Sequence, residues 1–332
     1  MNIRNTKELK SFAAQRLENA RDQKQIVLIY AGITIGLSAL VTIVNYVMGM
    51  EISQSGGLSN MGRRSFLSAL QNMFPLVQSF LLLFLDVGYM AAMLRIARGQ
   101  YASPRTLRLG FDRFWVLLRY SILKGLICFA IVFASVYIAI MIYMITPLSN
   151  STMDLLIPLM GDASMLDTGL VLDDAAYAQL MTSMTPAFVL FGVVFCVLAL
   201  PVMYQYRMAG YVIIDHPAMG AMAALRESKK MMKGNRFQLF RLDLSLWWYY
   251  AALAAASVVC YGDLILPLVG VEFPWSEDVS YFIFYALYLA LQFAIYFFLR
   301  NRVEVTYGLA YDAVKPEEKK DSGVVLGNIF QM

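Results

Sequence analysis

Six long apolar runs decide what this chain can fold into. They fall at about 26–48, 73–97, 122–146, 186–206, 244–262 and 279–299. A helix needs about 20 apolar residues to cross a hydrocarbon core of roughly 30 Å. Six such runs cannot all hide inside one small water-soluble core. The chain has 332 residues, of which 59% are hydrophobic and only 15% charged. That is too little polar surface to cover a water-facing globule. The expectation is an all-α, polytopic membrane protein with six transmembrane helices in one membrane domain over 1–314, followed by a flexible cytoplasmic tail over 315–332.

Charge placement orients the spans, because cytoplasmic loops carry the excess of lysine and arginine. The segments before span one, between spans two and three, between four and five, and after span six, taken with the span ends that flank them, hold 25 of the 27 basic residues. Arg63 and Arg64 fall on the other side. The opposite loops, 147–185 and 263–278, contain aspartate and glutamate but no lysine or arginine. The pattern predicts a multi-pass protein of the bacterial cytoplasmic membrane with both termini in the cytoplasm. An odd number of spans would break the alternation.

The basic segments also carry helical periodicity. Leu9, Phe12, Ala13, Leu17 and Ala20 recur at helix spacing among charges, which predicts an amphipathic helix lying on the membrane. Ser103–Pro104 is a helix-start signal, and Pro217 opens a third segment that Gly234 would end. The order surface helix, outward span, inward span therefore recurs, suggesting a three-fold helix-span-span repeat with units of about 1–98, 99–208 and 209–314. Alternation along any polytopic chain partly mimics such a repeat.

Residues 201–248 carry a D-x-P at Asp215–Pro217, an A-L-x-x-S-x-x-x-M-x-G run at Ala224–Gly234, and F-x-L-x-L-S at Phe240–Ser245. This region resembles the signature of a bacterial integral-membrane family, mostly from Gram-positive species, known as domain of unknown function 975. Weaker similarity covers the N-terminal helix and the GY…LRIARG stretch at 88–99. The resemblance implies a polytopic membrane protein of unknown activity and supplies no catalytic residues. Asp86 is not expected as a hallmark of that family.

Candidate sites are few. Asp86 lies nine residues before Arg95, about 13 Å along a helix from the basic edge. A carboxylate at that depth costs roughly 2.5–3.5 kcal/mol on insertion scales, so it must face helices or water. Gln292, at similar depth in span six, is a hydrogen-bond candidate for it. The pair could form a proton or cation relay, or a plain interhelical bond of about 0.6 kcal/mol. Arg226, Lys229, Lys230, Lys233 and Arg236 form a basic cluster suited to anionic lipid or a partner protein. Trp247, Trp248, Tyr249 and Tyr250 read as an interfacial aromatic belt.

Cys128, Cys196 and Cys260 stand far apart in apolar stretches, with no metal or disulfide spacing. No P-loop, HExxH or GxSxG motif is present. The sequence thus predicts a non-catalytic protein with no metal or cofactor and no nucleic-acid partner. Its expected partners are the bilayer, including anionic lipid, and a membrane protein or a second copy of itself. The expected role is an accessory or scaffold protein. The alternative is a small-solute or ion transporter or channel built around Asp86.

Overall fold

The computed structural model describes residues 5–20, 22–54, 61–150, 152, 154, 174–268, 270 and 273–315. Every regular element among the described residues is helical. Helix α1 (Thr6–Glu18) precedes two long helices, α2 (Gln23–Gln54) and α3 (Met61–Ala97). A 3₁₀ turn (Pro104–Arg108) and one turn of helix, α4 (Leu109–Asp112), lead into α5 (Phe114–Ile145). Next come α6 (Asp174–Tyr206), α7 (Ala209–Asp215), α8 (Ala221–Met231), α9 (Arg236–Ser245), α10 (Trp247–Cys260) and α11 (Gly262–Leu268). The chain closes with α12 (Glu277–Ile295), a π-turn (Tyr296–Arg300) and α13 (Asn301–Val314).

Five helices are long and apolar enough to cross a membrane, and α9 with α10 makes a sixth candidate, bent by 59°. The fifth predicted span, 244–262, is therefore not one straight helix. Its first residues belong to α9, and the chain turns at Leu246 before α10 begins. At 1.5 Å per residue, the 14 residues of α10 reach about 21 Å.

Among the described residues, long stretches of these helices have no protein partner. Phe129, Phe133 and Ile145 on α5 are 69%, 67% and 81% exposed, and α6 similarly presents Val189, Val193 and Val197. Faces this apolar are stable only where lipid covers them. The chain is a polytopic, all-α membrane protein.

The protein core sits at one end of the bundle. It combines Tyr30 of α2, Phe84 to Ala97 of α3, Met208 to Ile213, Leu239 and Leu242 of α9, and Val303 to Tyr311 of α13. Helix α1 packs on α13, α3 and α9. Leu9, Ala13 and Leu17 are buried there, so the amphipathic face expected to lie on lipid covers protein instead. Lys10 Nζ anchors the same helix by donating to the Ser245 carbonyl at 3.2 Å.

The other two predicted surface segments are also refined. The segment after Ser103 is a 3₁₀ turn plus α4, and Ser103 makes no side-chain capping bond. Helix α8 starts at Ala221 rather than Pro217, because residues 217–218 form a turn. Ala221, Ala224, Leu225, Ser228 and Met231 are its buried residues, whereas Met222 points outward. Gly234, at φ 90°, ends the segment in the left-handed region that glycine tolerates.

Close helix approach at the core requires small residues. A Cβ on Gly88 of α3 would lie 2.0 Å from the Leu107 carbonyl oxygen, and one on Gly110 would lie 1.8 Å from that of Phe84. These two glycines let the 104–112 segment lie directly against α3. The ends of α3, α7 and α13 then meet in one ion cluster, described below. Ends that touch must lie on the same side of the bilayer, so an even number of crossings separates each pair. That parity is met when α9 and α10 together count as one crossing.

Candidate functional site

The last helix organises the polar interior. Arg300, Glu304, Tyr307 and Tyr311 recur at intervals of four, three and four, which places them along one helical face. The π-turn at 296–300 ends on Arg300 and inserts an extra residue, a device that re-aims side chains within an otherwise α-helical span. Each residue in the stripe meets a different partner set.

Arg300 is the first anchor. Its Nη2 lies 3.0 Å from Asp86 Oδ1, and its Nε lies 4.0 Å from Glu304 Oε1. The guanidinium sits 4.7, 5.5 and 4.9 Å from the ring centroids of Tyr30, Tyr89 and Tyr296. Three aromatic faces and two carboxylates therefore replace the water that a buried cation loses. Tyr30 donates its hydroxyl to Asp86, and Tyr211 donates to Glu304 at 3.1 Å.

Asp86 is thus paired as a carboxylate in this membrane helix must be, but Gln292 is not its partner. The Gln292 amide donates to the hydroxyls of Tyr288 at 2.9 Å and Tyr296 at 3.3 Å. It touches the Asp86 site only through the Tyr296 ring. Arg300 looks, in sequence, like an ordinary loop cation at the end of an apolar run.

Tyr307 forms the second anchor. Arg207 stacks 4.8 Å from its ring, its hydroxyl bonds that of Tyr250 at 2.8 Å, and it donates to Asp243. Tyr204 donates to the other Asp243 oxygen at 2.7 Å. The residues 247–250 consequently divide: Trp247 is 66% exposed, whereas Tyr249 is buried and Tyr250 engages this network. Tyr249 and Tyr250, expected in an interfacial belt, are therefore engaged by protein, while Trp247 is left open.

The third anchor joins three helix ends. Arg98, just past α3, donates in a fork to Asp312, from Nη2 at 2.7 Å and Nε at 3.0 Å. Its Nη1 reaches Asp215 of α7 at 2.7 Å. Lys315 Nζ and the Tyr311 hydroxyl complete Asp215 at 2.8 and 3.1 Å. The hydrogen bonds that Arg98 donates to Asp312 and then Asp215 push its guanidinium above its ordinary value, outweighing the opposing effect of burial. Planar, bidentate pairing of this kind is specific to arginine.

The basic residues of α8 are built differently. Its buried side is fixed by Ala224, Leu225 and Met231, and by the Ser228 hydroxyl donating to the Gln205 carbonyl at 3.1 Å. Arg226, Lys229 and Lys230 are exposed away from that side, and Lys233 is exposed in the turn that follows. Lys230 meets Glu227 at 3.3 Å, while Arg226, Lys229 and Lys233 form no ion pair among the described residues. Arg236 departs from this set, being half-buried with its Nε enclosed.

His216 caps α7 beside Asp215, at 3.9 Å. The three cysteines are unpaired, and no cluster of metal-ligating side chains occurs among the described residues.

The motif residues at 215–245 now have structural reasons. Asp215 ties three helix ends, Ala224 and Leu225 bury α8, Ser228 pins it to α6, Gly234 ends it, and Leu242 fills the core. Searches of curated proteins and of solved structures each found no match. The model of the family DUF975, described as protein of unknown function, matches residues 1–318, and the chain belongs to that family.

Proposed function

We propose that this protein is a non-catalytic accessory or scaffold protein of the bacterial cytoplasmic membrane, engaging anionic lipid or a membrane partner through the basic face of α8. The supporting observation is the division of that helix. One side is locked into the protein, Arg226, Lys229 and Lys230 project away from it, and Lys233 is exposed just past the helix end. A cation near an anionic bilayer surface contributes about 1 kcal/mol. In this reading the basic end of the bundle, with α1 and α13, faces the cytoplasm under the positive-inside rule. The ionic anchors along α13 hold the surface rigid, and no cofactor is needed.

The experiment is purification of the full chain from its membrane in mild detergent, followed by lipid and subunit analysis. Wild type should retain anionic lipid or a stoichiometric membrane partner. The Arg226→Gln/Lys229→Gln/Lys230→Gln/Lys233→Gln variant should lose it. Equal recovery from both proteins would overturn the proposal.

A second reading rests on the Asp86–Arg300 pair beside the π-turn, since π-turns and broken helices often mark functional sites in membrane proteins. Here the protein would be a transporter or channel for a small solute or ion. Ion or solute flux in vesicles that stops in Asp86→Asn, with the fold intact, would support it over the first.

A further inference from the structure

Beside α8 lies a largely apolar groove of about 380 Å³ with two cations on one side. Leu123, Leu126, Ile127 and Ala130 of α5 form an apolar wall, and Met222 and Leu225 with Arg226 and Lys229 form the α8 side. The cations are three residues apart and so share one helical face. Glu227, the acid between them, is already engaged by Lys230. The apolar wall continues along α5 into the outward-facing Phe129 and Phe133.

We infer that this groove is a discrete site for one anionic glycerophospholipid, with its phosphate on Arg226 and Lys229 and an acyl chain along α5. This inference rests on the lipid-engaging reading above and gives it a location. Arginine offers a planar fork to phosphate oxygens and lysine a compact charge, so the pair suits a phosphodiester. Two neighbouring cations whose intervening carboxylate, Glu227, is already held by Lys230 favour a net-negative headgroup. A zwitterionic lipid would bring its own ammonium group against them. The apolar wall explains why the ligand is a lipid rather than a free phosphate: the groove offers an aliphatic chain continuous contact from the headgroup into the bilayer.

Native mass spectrometry of the full chain in neutral detergent tests the site, with phosphatidylglycerol and phosphatidylcholine as the probes. Wild type should bind one phosphatidylglycerol in preference to phosphatidylcholine. Arg226→Gln/Lys229→Gln should weaken that binding about 30-fold. Ala130→Phe, which fills the groove without touching charge, should also weaken it. Lys7→Gln/Arg241→Gln removes two exposed cations at the same end and should change it less than threefold. If that control pair weakens binding as much as Arg226→Gln/Lys229→Gln, the discrete site is wrong while the general basic-face reading survives. Unchanged binding in Ala130→Phe would likewise overturn the groove. Wild type showing no preference for the anionic lipid would overturn the site and the lipid half of the broader reading together.

Discussion

Arg300 Nη2 lies 3.0 Å from Asp86 Oδ1, joining span six to span two inside a cage of tyrosine rings. Each charge is tolerable at that position because the other is there. The same logic recurs at Arg98 with Asp215 and Asp312. In a hydrocarbon surround, helices gain little from apolar contact with one another, so polar and aromatic bonds carry more of the specificity.

Removing one member of the first pair should be more damaging than removing both. Asp86→Leu leaves Arg300 buried without its nearest carboxylate, and breaking such a pair costs about 3 kcal/mol or more. Asp86→Leu/Arg300→Met should recover most of that loss. Thermal unfolding of the purified protein in detergent reads both values, and a double variant less stable than Asp86→Leu would contradict the pairing.

Arg98→Lys keeps the charge but cannot serve two carboxylates with a planar fork. Hydrogen bonds to charged groups contribute about 1.5–3 kcal/mol, and part of this should be lost. Helix α13 should then detach more readily, seen as faster hydrogen exchange over 301–315. Exchange there at the wild-type rate would show that the three-ended cluster does not hold the helix.

Glycines in the spans should divide sharply by position. Gly88→Ala and Gly110→Ala place a Cβ about 2 Å from a backbone oxygen that cannot easily move, and should cost about 3 kcal/mol or prevent accumulation of folded protein. Gly36→Ala meets nothing within 4 Å and should be neutral or stabilising by up to about 1 kcal/mol. Folded yield in detergent, followed by thermal midpoint, separates the two groups.

Gly234→Ala meets no neighbour, yet its φ of 90° penalises any side chain by about 1–2 kcal/mol. The expected result is a modest loss of stability with increased exchange at the end of α8. Gly234→Asn should lose less, because asparagine enters the left-handed region more readily. Equal effects of the two substitutions would argue against a conformational origin.

The apolar runs were readable because length and composition alone decide whether a helix can live in lipid. Asp86 stood out for the same reason, as an ionisable group inside such a run. Arg300 did not stand out. It follows the last apolar run, where a loop cation would also stand, and only the continuous course of span six through the π-turn into α13 turns it inward. Tyr249 and Tyr250 were hidden behind their tryptophan neighbours, since interfacial and interior aromatics share one composition. The break at Leu246 left no proline or glycine to announce it.

What the sequence determined by itself is the solvent: six segments too apolar for water, with four basic stretches alternating with them along the chain. It also determined that α1 and α8 each have an apolar stripe. The tertiary structure decided what covers those stripes, placing protein rather than lipid over Leu9, Ala13 and Leu17. It decided likewise which charges are partners, bringing Asp86 to Arg300 across 214 residues. The physical reason is common to both. Hydrophobicity depends on a segment's own residues, whereas an ion pair or a packed face depends on where another segment arrives.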